Sequence, residues 1–267
     1  MTDPGREVAL VATDLDGTLL RSDGTLSPYS REVLAELDHR GLPVVLVTAR
    51  PLRWMGDLWE VVGEHGLAIV SNGAILYDAH ERRIRELTGI GRDEGLALAA
   101  RIRDAVPGAR FGLEGASGLA LEGTFGEPHH VPEGTPVGPL EEVWTEPAAK
   151  LMVRAPSQDP DEVRRRVVAA VGEDATATWS VAGLVEISAP EVTKAWRLAH
   201  VCADLGVDRS GVLAFGDMPN DLPMLAWAGR SCAVANAHET VRAAADRVVP
   251  ANDDDGVAAT LADLLLG

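Results

Sequence analysis

Short apolar runs alternate with segments of helical periodicity over roughly the first eighty residues of the chain. The runs at residues 8–12, 43–47 and 67–70 have the character of strands that are buried on both faces. The apolar residues from Tyr29 to Leu37 recur at i, i+4 and i+8, which predicts a helix between the first two strands. This order predicts a parallel sheet with right-handed crossovers and helices on both of its faces.

The pattern between residues 51 and 62 predicts a second helix, with Trp54 and Leu58 on its apolar face. The same alternation returns at Pro190, where an apolar stripe predicts a helix that ends at Gly206. Three further strands are predicted at residues 212–215, 231–234 and 247–249, and a final helix from residue 256. The two ends of the chain therefore contribute to one α/β sheet.

The segment between these α/β stretches has a different pattern. It contains short alternating runs typical of antiparallel strands, two helical stretches, and a loop rich in Gly and Pro at residues 123–139. The predicted strands lie at residues 110–113, 118–121, 150–153, 177–181 and 184–187. The predicted fold class is therefore α/β, a Rossmann-like parallel sheet core formed by residues 1–84 and 189–267, with an inserted α+β domain at residues 85–188.

Composition narrows the function classes. The chain has 267 residues and a formal net charge of -17, so it lacks the basic excess that nucleic acids or anionic membranes require of a partner. Its two cysteines, Cys202 and Cys232, lie in apolar stretches without metal-ligand spacing and are expected to be buried thiols. The polar N-terminus lacks a signal-peptide pattern, and we expect a cytoplasmic protein.

Polar residues follow four of the predicted strands directly. Ligands of an open parallel sheet bind beyond the carboxyl ends of its strands, so these residues are expected to converge. Asp14 and Asp16 are expected to project together, because alternate residues of an extended chain point the same way. An Asp/Gly-rich surface turn is the alternative for this stretch. The four sets are Asp14 with Asp16, Thr48, Asn72, and Asp217 with Asn220 and Asp221.

Lys194 lies in the first turn of the helix that follows Pro190. The positive end of the helix dipole disfavours a cation there. A surface lysine is one interpretation. The other is a nearby phosphate, on which the lysine and the helix N-terminus would act together.

These residues resemble, in order and spacing, the four motifs of the haloacid dehalogenase-like phosphatases. The motif residues are Asp14-Leu15-Asp16-Gly17-Thr18, Thr48, Lys194 and Gly216-Asp217-Met218-Pro219-Asn220-Asp221. The resemblance is strongest to the Cof-type branch, whose cap domain is inserted between the second and third motifs. It implies that residues 85–188 form a cap that covers the active site and determines specificity.

The resemblance implies a Mg²⁺-dependent phosphatase that hydrolyses a small phosphorylated metabolite, such as a sugar phosphate. Asp14 would be the nucleophile that forms an aspartyl-phosphate, and Asp16 the general acid and base. Thr48 would donate a hydrogen bond to the phosphoryl group, and Lys194 would neutralise its charge.

The metal would be held by Asp14, Asp217 and the backbone carbonyl of Asp16, with Asp221 either beside these ligands or capping the next helix. The expected substrate-binding residues are Thr48, Arg50, Asn72, Gly73, Lys194 and Asn220. An ion pair is the alternative role of Arg50, and a structural hairpin turn is the alternative for Asn72-Gly73.

The same motifs are compatible with other functions. A sugar phosphomutase-like phosphotransferase would use the same motifs but must shield the aspartyl-phosphate from water. A non-catalytic phosphate-binding regulatory protein would keep the fold alone. A nucleotide-binding module is disfavoured, because GxGxxG and GxxxxGK[ST] are both missing. The expected partner is a small phosphorylated metabolite, for a monomer or a homodimer.

Overall fold

The chain divides into two units in the computed structural model, which describes residues 8–123, 125–126, 130–181 and 183–266. The core unit comprises the chain up to Arg50, Trp54–Arg85, and the chain from Thr193 onward. The inserted unit comprises Pro51–Arg53 and Glu86–Val192. The three residues Pro51–Arg53 thus group with the insert, which the sequence pattern does not indicate.

The core unit is built on an eight-stranded sheet. Its strands are β1 (Leu10–Thr13), β2 (Val44–Val47), β3 (Leu67–Val70), β4 (Ile75–Asp78), β5 (Arg83–Leu87), β12 (Val212–Gly216), β13 (Arg230–Val234) and β14 (Arg247–Val249). Their order is β14-β13-β12-β1-β2-β3-β4-β5. The first six strands in this order pair in parallel, and β4 returns antiparallel to β3. The residues of β1, β2, β3 and β12 are all buried, as their uninterrupted apolar runs require.

The helices of the core unit begin and end near the positions that their sequence signals indicate. They are α1 (Pro28–His39), α5 (Lys194–Leu205), α6 (Leu222–Trp227), α7 (Glu239–Ala244) and α8 (Gly256–Leu261). Ser27 caps α1 by accepting a hydrogen bond from the Ser30 amide, and Thr193 caps α5 by accepting one from the Trp196 amide. The cap of α5 places Lys194 at the first helical position.

The prediction of a helix after Pro51 is wrong. The structure has two short 3₁₀ helices there, Leu52–Trp54 and Gly56–Val61. Gly56 disfavours a continuous α-helix across the junction, and Trp54 remains 38% exposed instead of packing in a core. The apolar spacing alone therefore overestimated the helix.

The inserted unit has a six-stranded sheet of order β10-β11-β9-β6-β7-β8. The strands are β6 (Arg110–Gly115), β7 (Gly118–Glu122), β8 (Val137–Gly138), β9 (Ala148–Arg154), β10 (Thr176–Thr178) and β11 (Val185–Ser188). The helices are α2 (Arg92–Ala105), α3 (Leu140–Val143) and α4 (Pro160–Val171), of which α2 and α4 pack together. The pairings are antiparallel except between β7 and β8.

The predicted fold class, a parallel α/β core with an α+β insert, is confirmed. Both cysteines are buried free thiols, and burial raises the pKa of each to about 11. Within the described ranges, every helix is too short or too polar to cross a lipid bilayer.

Candidate active site

The candidate residues meet at the carboxyl edge of the core sheet. Asp14 follows β1, Thr48 follows β2, Asn72 follows β3 and Asp217 follows β12. These four strands are parallel neighbours, so their carboxyl ends lie side by side. The Asp14 amide donates to the Phe215 carbonyl, which ties the end of β1 to the end of β12. The convergence expected from the strand pattern is therefore present in the fold.

Three carboxylates form a buried cluster at this edge. One oxygen from each of Asp14, Asp217 and Asp221 lies within 4.8 Å of the others, and all three residues are buried. Burial, together with the charges of the other two acids, raises the pKa of Asp14 well above its usual range, although Lys194 opposes the shift. Burial and the charge of Asp221 raise the pKa of Asp217 to about 6. The cluster therefore holds more negative charge than the surrounding protein compensates.

Lys194 is the cation of this cluster. Its Nζ donates to Asp14 Oδ1 at 2.7 Å and to Asp221 Oδ1 at 2.6 Å, and the side chain is fully buried. Burial lowers the pKa of the ammonium, but the two neighbouring carboxylates outweigh that effect and leave it above its usual range. The ammonium group is thus charged and in contact with the carboxylate that follows β1.

Asp221 has both carboxylate oxygens occupied by donors from the chain. Oδ1 accepts from Lys194, and Oδ2 accepts from the amides of Asp217 and Met218, both at 3.0 Å. Asp217 has a different environment, since its Oδ1 accepts from the Thr18 hydroxyl at 2.7 Å. Asp221 therefore fixes Lys194 and the loop after β12, whereas Asp14 and Asp217 present oxygens toward the cluster.

Asp16 is not one of the three clustered carboxylates, and it is exposed whereas Asp14 is buried. That the two side chains project together stays a prediction. The Asp16 carboxylate pairs with Arg50, whose Nε and Nη2 donate to it at 2.7 and 2.6 Å. The irregular turn Leu15–Leu19 follows Asp14, and in it Asp16 still has extended dihedral angles (φ -71°, ψ 121°) and Gly17 has a φ of 76°. The chain reverses direction only at Gly17, after Asp16. A side chain at residue 17 would also lie 2.5 Å from Asp217, so glycine is required here.

Arg50 was expected to bind substrate or to form an ion pair, and its contacts favour the ion pair. Beyond the two bonds to Asp16, its Nη1 donates to the Trp54 carbonyl at 3.0 Å. Asp16 raises the pKa of the guanidinium further. The Arg50 backbone amide donates to the Thr48 hydroxyl at 3.0 Å, and Thr48 is itself buried. The Thr48 hydroxyl is a donor as well as an acceptor.

The turn after β3 brings the remaining predicted residues together. Ser71, Asn72 and Gly73 are buried, and Asn72 Oδ1 accepts from Asn220 Nδ2 at 3.0 Å. The turn also connects the antiparallel strands β3 and β4, as the hairpin interpretation predicted. Its position beside Thr48 and Asn220 is consistent with a binding role as well.

Three residues at the site were not identified as functional from the sequence. Thr18 anchors Asp217, Asn236 donates to the Gly17 carbonyl at 2.7 Å, and Arg197 donates to the Gly73 carbonyl at 3.0 Å. Thr18 belongs to the motif Asp14-Leu15-Asp16-Gly17-Thr18, so the sequence held a signal for it. Arg197 follows Lys194 by three positions in a helix and carries no local signal.

Comparisons with known proteins agree with the motifs. A family model described as haloacid dehalogenase-like hydrolase matches residues 11–261. The chain is similar to a phosphoglycolate phosphatase of Halorubrum lacusprofundi, with 30% identity over 95% of this chain and 96% of the relative. It is also similar to the pyridoxal phosphate phosphatase YbhA of Escherichia coli, with 27% identity over 93% of this chain and 96% of the relative.

The fold has solved counterparts. The crystal structure of a haloacid dehalogenase-like hydrolase from Bacteroides thetaiotaomicron matches with a TM-score of 0.79 and 24% identity, covering 97% of this chain and 100% of that one. The family model spans nearly the whole chain, and the alignments with the two relatives, both named phosphatases, cover 96% of each relative. The family resemblance of the motifs is thereby confirmed. The chain belongs to the haloacid dehalogenase-like hydrolases and is a phosphoric monoester hydrolase of that family.

Proposed function

We propose that this enzyme is a Mg²⁺-dependent phosphatase that hydrolyses a small phosphorylated metabolite through an aspartyl-phosphate on Asp14. The observation that carries the proposal is the buried contact of Lys194 with Asp14 inside a group of three carboxylates. If the cluster served only to hold the fold together, well-packed apolar residues could take its place. This cluster instead keeps an excess of negative charge at the sheet edge where ligands of such folds bind.

The cluster fits a hard divalent cation. Its donors are carboxylate oxygens, and the raised pKa values of Asp14 and Asp217 indicate uncompensated negative charge. Asp14 and Asp217 would hold the ion together with the backbone carbonyl of Asp16, while Asp221 remains bound to Lys194. When bound, Mg²⁺ neutralises charge on the phosphoryl oxygens and lowers the cost of bringing an anion to a carboxylate.

Asp14 attacks phosphorus with a carboxylate oxygen in the proposed first step. The new P–O bond forms as the bond to the leaving alcohol oxygen breaks, and Asp16 transfers a proton to that oxygen. In the second step Asp16 removes a proton from water, and the water oxygen attacks phosphorus. The bond between phosphorus and the Asp14 oxygen breaks, so inorganic phosphate leaves and the Asp14 carboxylate is regenerated.

The remaining residues bind and orient the phosphoryl group in this proposal. Lys194 keeps its charge beside Asp14 and stabilises the negative charge of the transferring group. The buried Thr48 hydroxyl donates to a phosphoryl oxygen, and Asn72, Gly73 and Asn220 line the neighbouring side. Arg50 acts through Asp16, because its two bonds to that carboxylate set the direction of the acid.

The relatives supply the substrate panel for a test. Phosphoglycolate and pyridoxal phosphate, on which the named relatives act, should be assayed beside sugar phosphates and an aryl phosphate. We expect phosphate release that requires Mg²⁺ and is abolished by Asp14→Asn. The matched control is Asp57→Asn, since Asp57 is an exposed aspartate of the core unit.

Two outcomes would overturn the proposal. Phosphate binding without turnover over the whole panel would identify a regulatory protein. Transfer of the phosphoryl group to a second hydroxyl, without release of inorganic phosphate, would identify a phosphotransferase.

A further inference from the structure

Arg197 is a buried cation that the proposed mechanism does not use. It lies on α5 three positions after Lys194 and is 0% exposed. Its Nε donates to the Gly73 carbonyl at 3.0 Å, and its guanidinium lies 4.7 Å from the centre of the Trp196 ring. Burial of a guanidinium is costly unless its donors are satisfied, so each of its contacts constrains the surrounding structure strongly.

The turn that Arg197 contacts has an unusual backbone. Ser71, Asn72 and Gly73 have consecutive φ values of 53°, 57° and 102°. Residues other than glycine adopt such values rarely, and the conformation persists only where the surroundings enforce it. The three residues are buried, so packing and hydrogen bonds must supply that enforcement.

The turn connects several groups of the phosphate site. The Ser71 amide donates to the Arg50 carbonyl at 2.9 Å, and the Asn72 amide donates to the Thr48 carbonyl at 3.0 Å. The Asn72 side chain in turn accepts from Asn220. A shift of this turn would therefore move Thr48 and Asn220 together.

The turn also lies directly against the first turn of α5. A Cβ at Gly73 would be 2.2 Å from the Thr193 carbonyl oxygen and 3.3 Å from the Lys194 amide nitrogen. This approach is possible only for glycine. Arg197 completes the contact one helical turn further along, with its bond to the Gly73 carbonyl.

Two buried polar atoms beside this contact indicate where a ligand would act. Ser71 Oγ and Asn220 Oδ1 have no hydrogen-bond partner within the described part of the chain. Buried polar atoms are nearly always satisfied, so an unsatisfied pair in one place points to a missing partner. A bound phosphoryl group can accept from Ser71 Oγ, and water or a substrate hydroxyl can donate to Asn220 Oδ1.

We infer that Arg197 is a positioning residue of the phosphate site. By holding the left-handed turn Ser71–Gly73 against α5, it keeps Thr48 and Asn220 in one arrangement with Lys194. The inference rests on the proposed function, and it assigns a role in orienting the bound phosphoryl group to a residue that touches neither substrate nor metal.

The test compares Arg197→Met and Arg197→Lys with Leu198→Ala. Leu198 is the next residue of α5, fully buried and apolar, so its truncation destabilises the same helix and leaves the hydrogen bond from Arg197 to the Gly73 carbonyl in place. Binding of inorganic phosphate in the presence of Mg²⁺ is measured by calorimetry. Hydrogen exchange of residues 70–75 is measured separately, at a temperature where each variant is folded.

We expect Arg197→Met to weaken phosphate binding and lower kcat on the order of ten- to a hundredfold, as a misplaced binding group does. Exchange of residues 70–75 should accelerate in the same variant. Arg197→Lys, which retains a donor and a charge, should recover part of both losses. Leu198→Ala should lower the Tm but leave phosphate affinity and the exchange of the turn within about twofold of wild type.

Equal phosphate affinity in Arg197→Met and Leu198→Ala would overturn the inference, as would unchanged exchange of the turn. If Arg197→Met does not fold, Arg197→Lys and Gly73→Ala decide the question, because Gly73→Ala forces the same contact apart from the other side. Hydrogen exchange requires no turnover. A wild-type enzyme inactive over the whole panel would therefore refute the proposed function, whereas hydrogen exchange of the turn would still test the positioning role of Arg197.

Discussion

Replacement of Asp217 by asparagine should stabilise the metal-free protein. Asp217 is buried with Asp14 and Asp221, and its pKa is raised from 3.8 to about 6. A raised pKa means that the folded state holds the proton more tightly than the unfolded state does. The penalty for ionising Asp217 is therefore absent below about pH 4 and fully present above about pH 6.

The size of the effect follows from the shift. The pKa rises by about two units, and each unit corresponds to about 1.4 kcal/mol, so ionised Asp217 costs the fold about 3 kcal/mol near neutral pH. An asparagine can still accept the Thr18 hydrogen bond and carries no charge. In EDTA at about pH 7.5, Asp217→Asn should raise the free energy of unfolding by about 2 to 3 kcal/mol, and at about pH 4.5 by only about 1 kcal/mol.

Urea denaturation of wild type, Asp217→Asn and the exposed control Asp57→Asn provides the assay. The control should change the free energy of unfolding by less than about 0.5 kcal/mol at either pH. Saturating Mg²⁺ should then stabilise the wild type far more than Asp217→Asn, because a ligand stabilises only the state that binds it. If Asp217→Asn is less stable than wild type in EDTA near neutral pH, the uncompensated charge of the cluster is refuted.

Two further substitutions test the division of roles and the insert. Asp16→Asn should retain phosphate binding but lose turnover by about 10²- to 10⁴-fold, because it removes the general acid and base while keeping part of the contact with Arg50. Phosphate release in a single turnover measures the loss. Near-normal turnover would contradict the role of Asp16. In the insert, Lys150→Met should lower the free energy of unfolding by about 3–5 kcal/mol, as measured by urea denaturation, because it removes the ammonium group that pairs with the buried carboxylate of Glu186. Replacing both residues by methionine should restore much of that loss, and no such recovery would refute the ion-pair explanation.

Features that depend on strand burial could be predicted from the sequence. An uninterrupted apolar run admits few structures other than a strand covered on both faces, and parallel strands bring their carboxyl ends together. That reasoning was sufficient to expect Asp14, Thr48 and Asp217 at one edge. Their catalytic and metal-binding roles stay predictions, to be tested by the substitutions above.

Features that depend on turn geometry could not be predicted. The sequence pattern did not show that the Asp16 carboxylate pairs with Arg50, because that contact depends on how the loop after β1 lies against the loop after β2. Arg197 was missed for a related reason. Its partner is a backbone carbonyl more than a hundred residues away, and a helical pattern contains no information about such a contact.

The placement of β1 between β2 and β12 has a consequence for biosynthesis. Asp14 is translated about two hundred residues before Asp221, which at typical elongation rates is a delay of roughly 10–40 s. During this interval the inserted unit is already complete in the nascent chain, while one edge of β1 still lacks its neighbour. The nascent chain therefore exposes an apolar strand edge until the ribosome has delivered β12, and the carboxylate cluster forms only after that pairing.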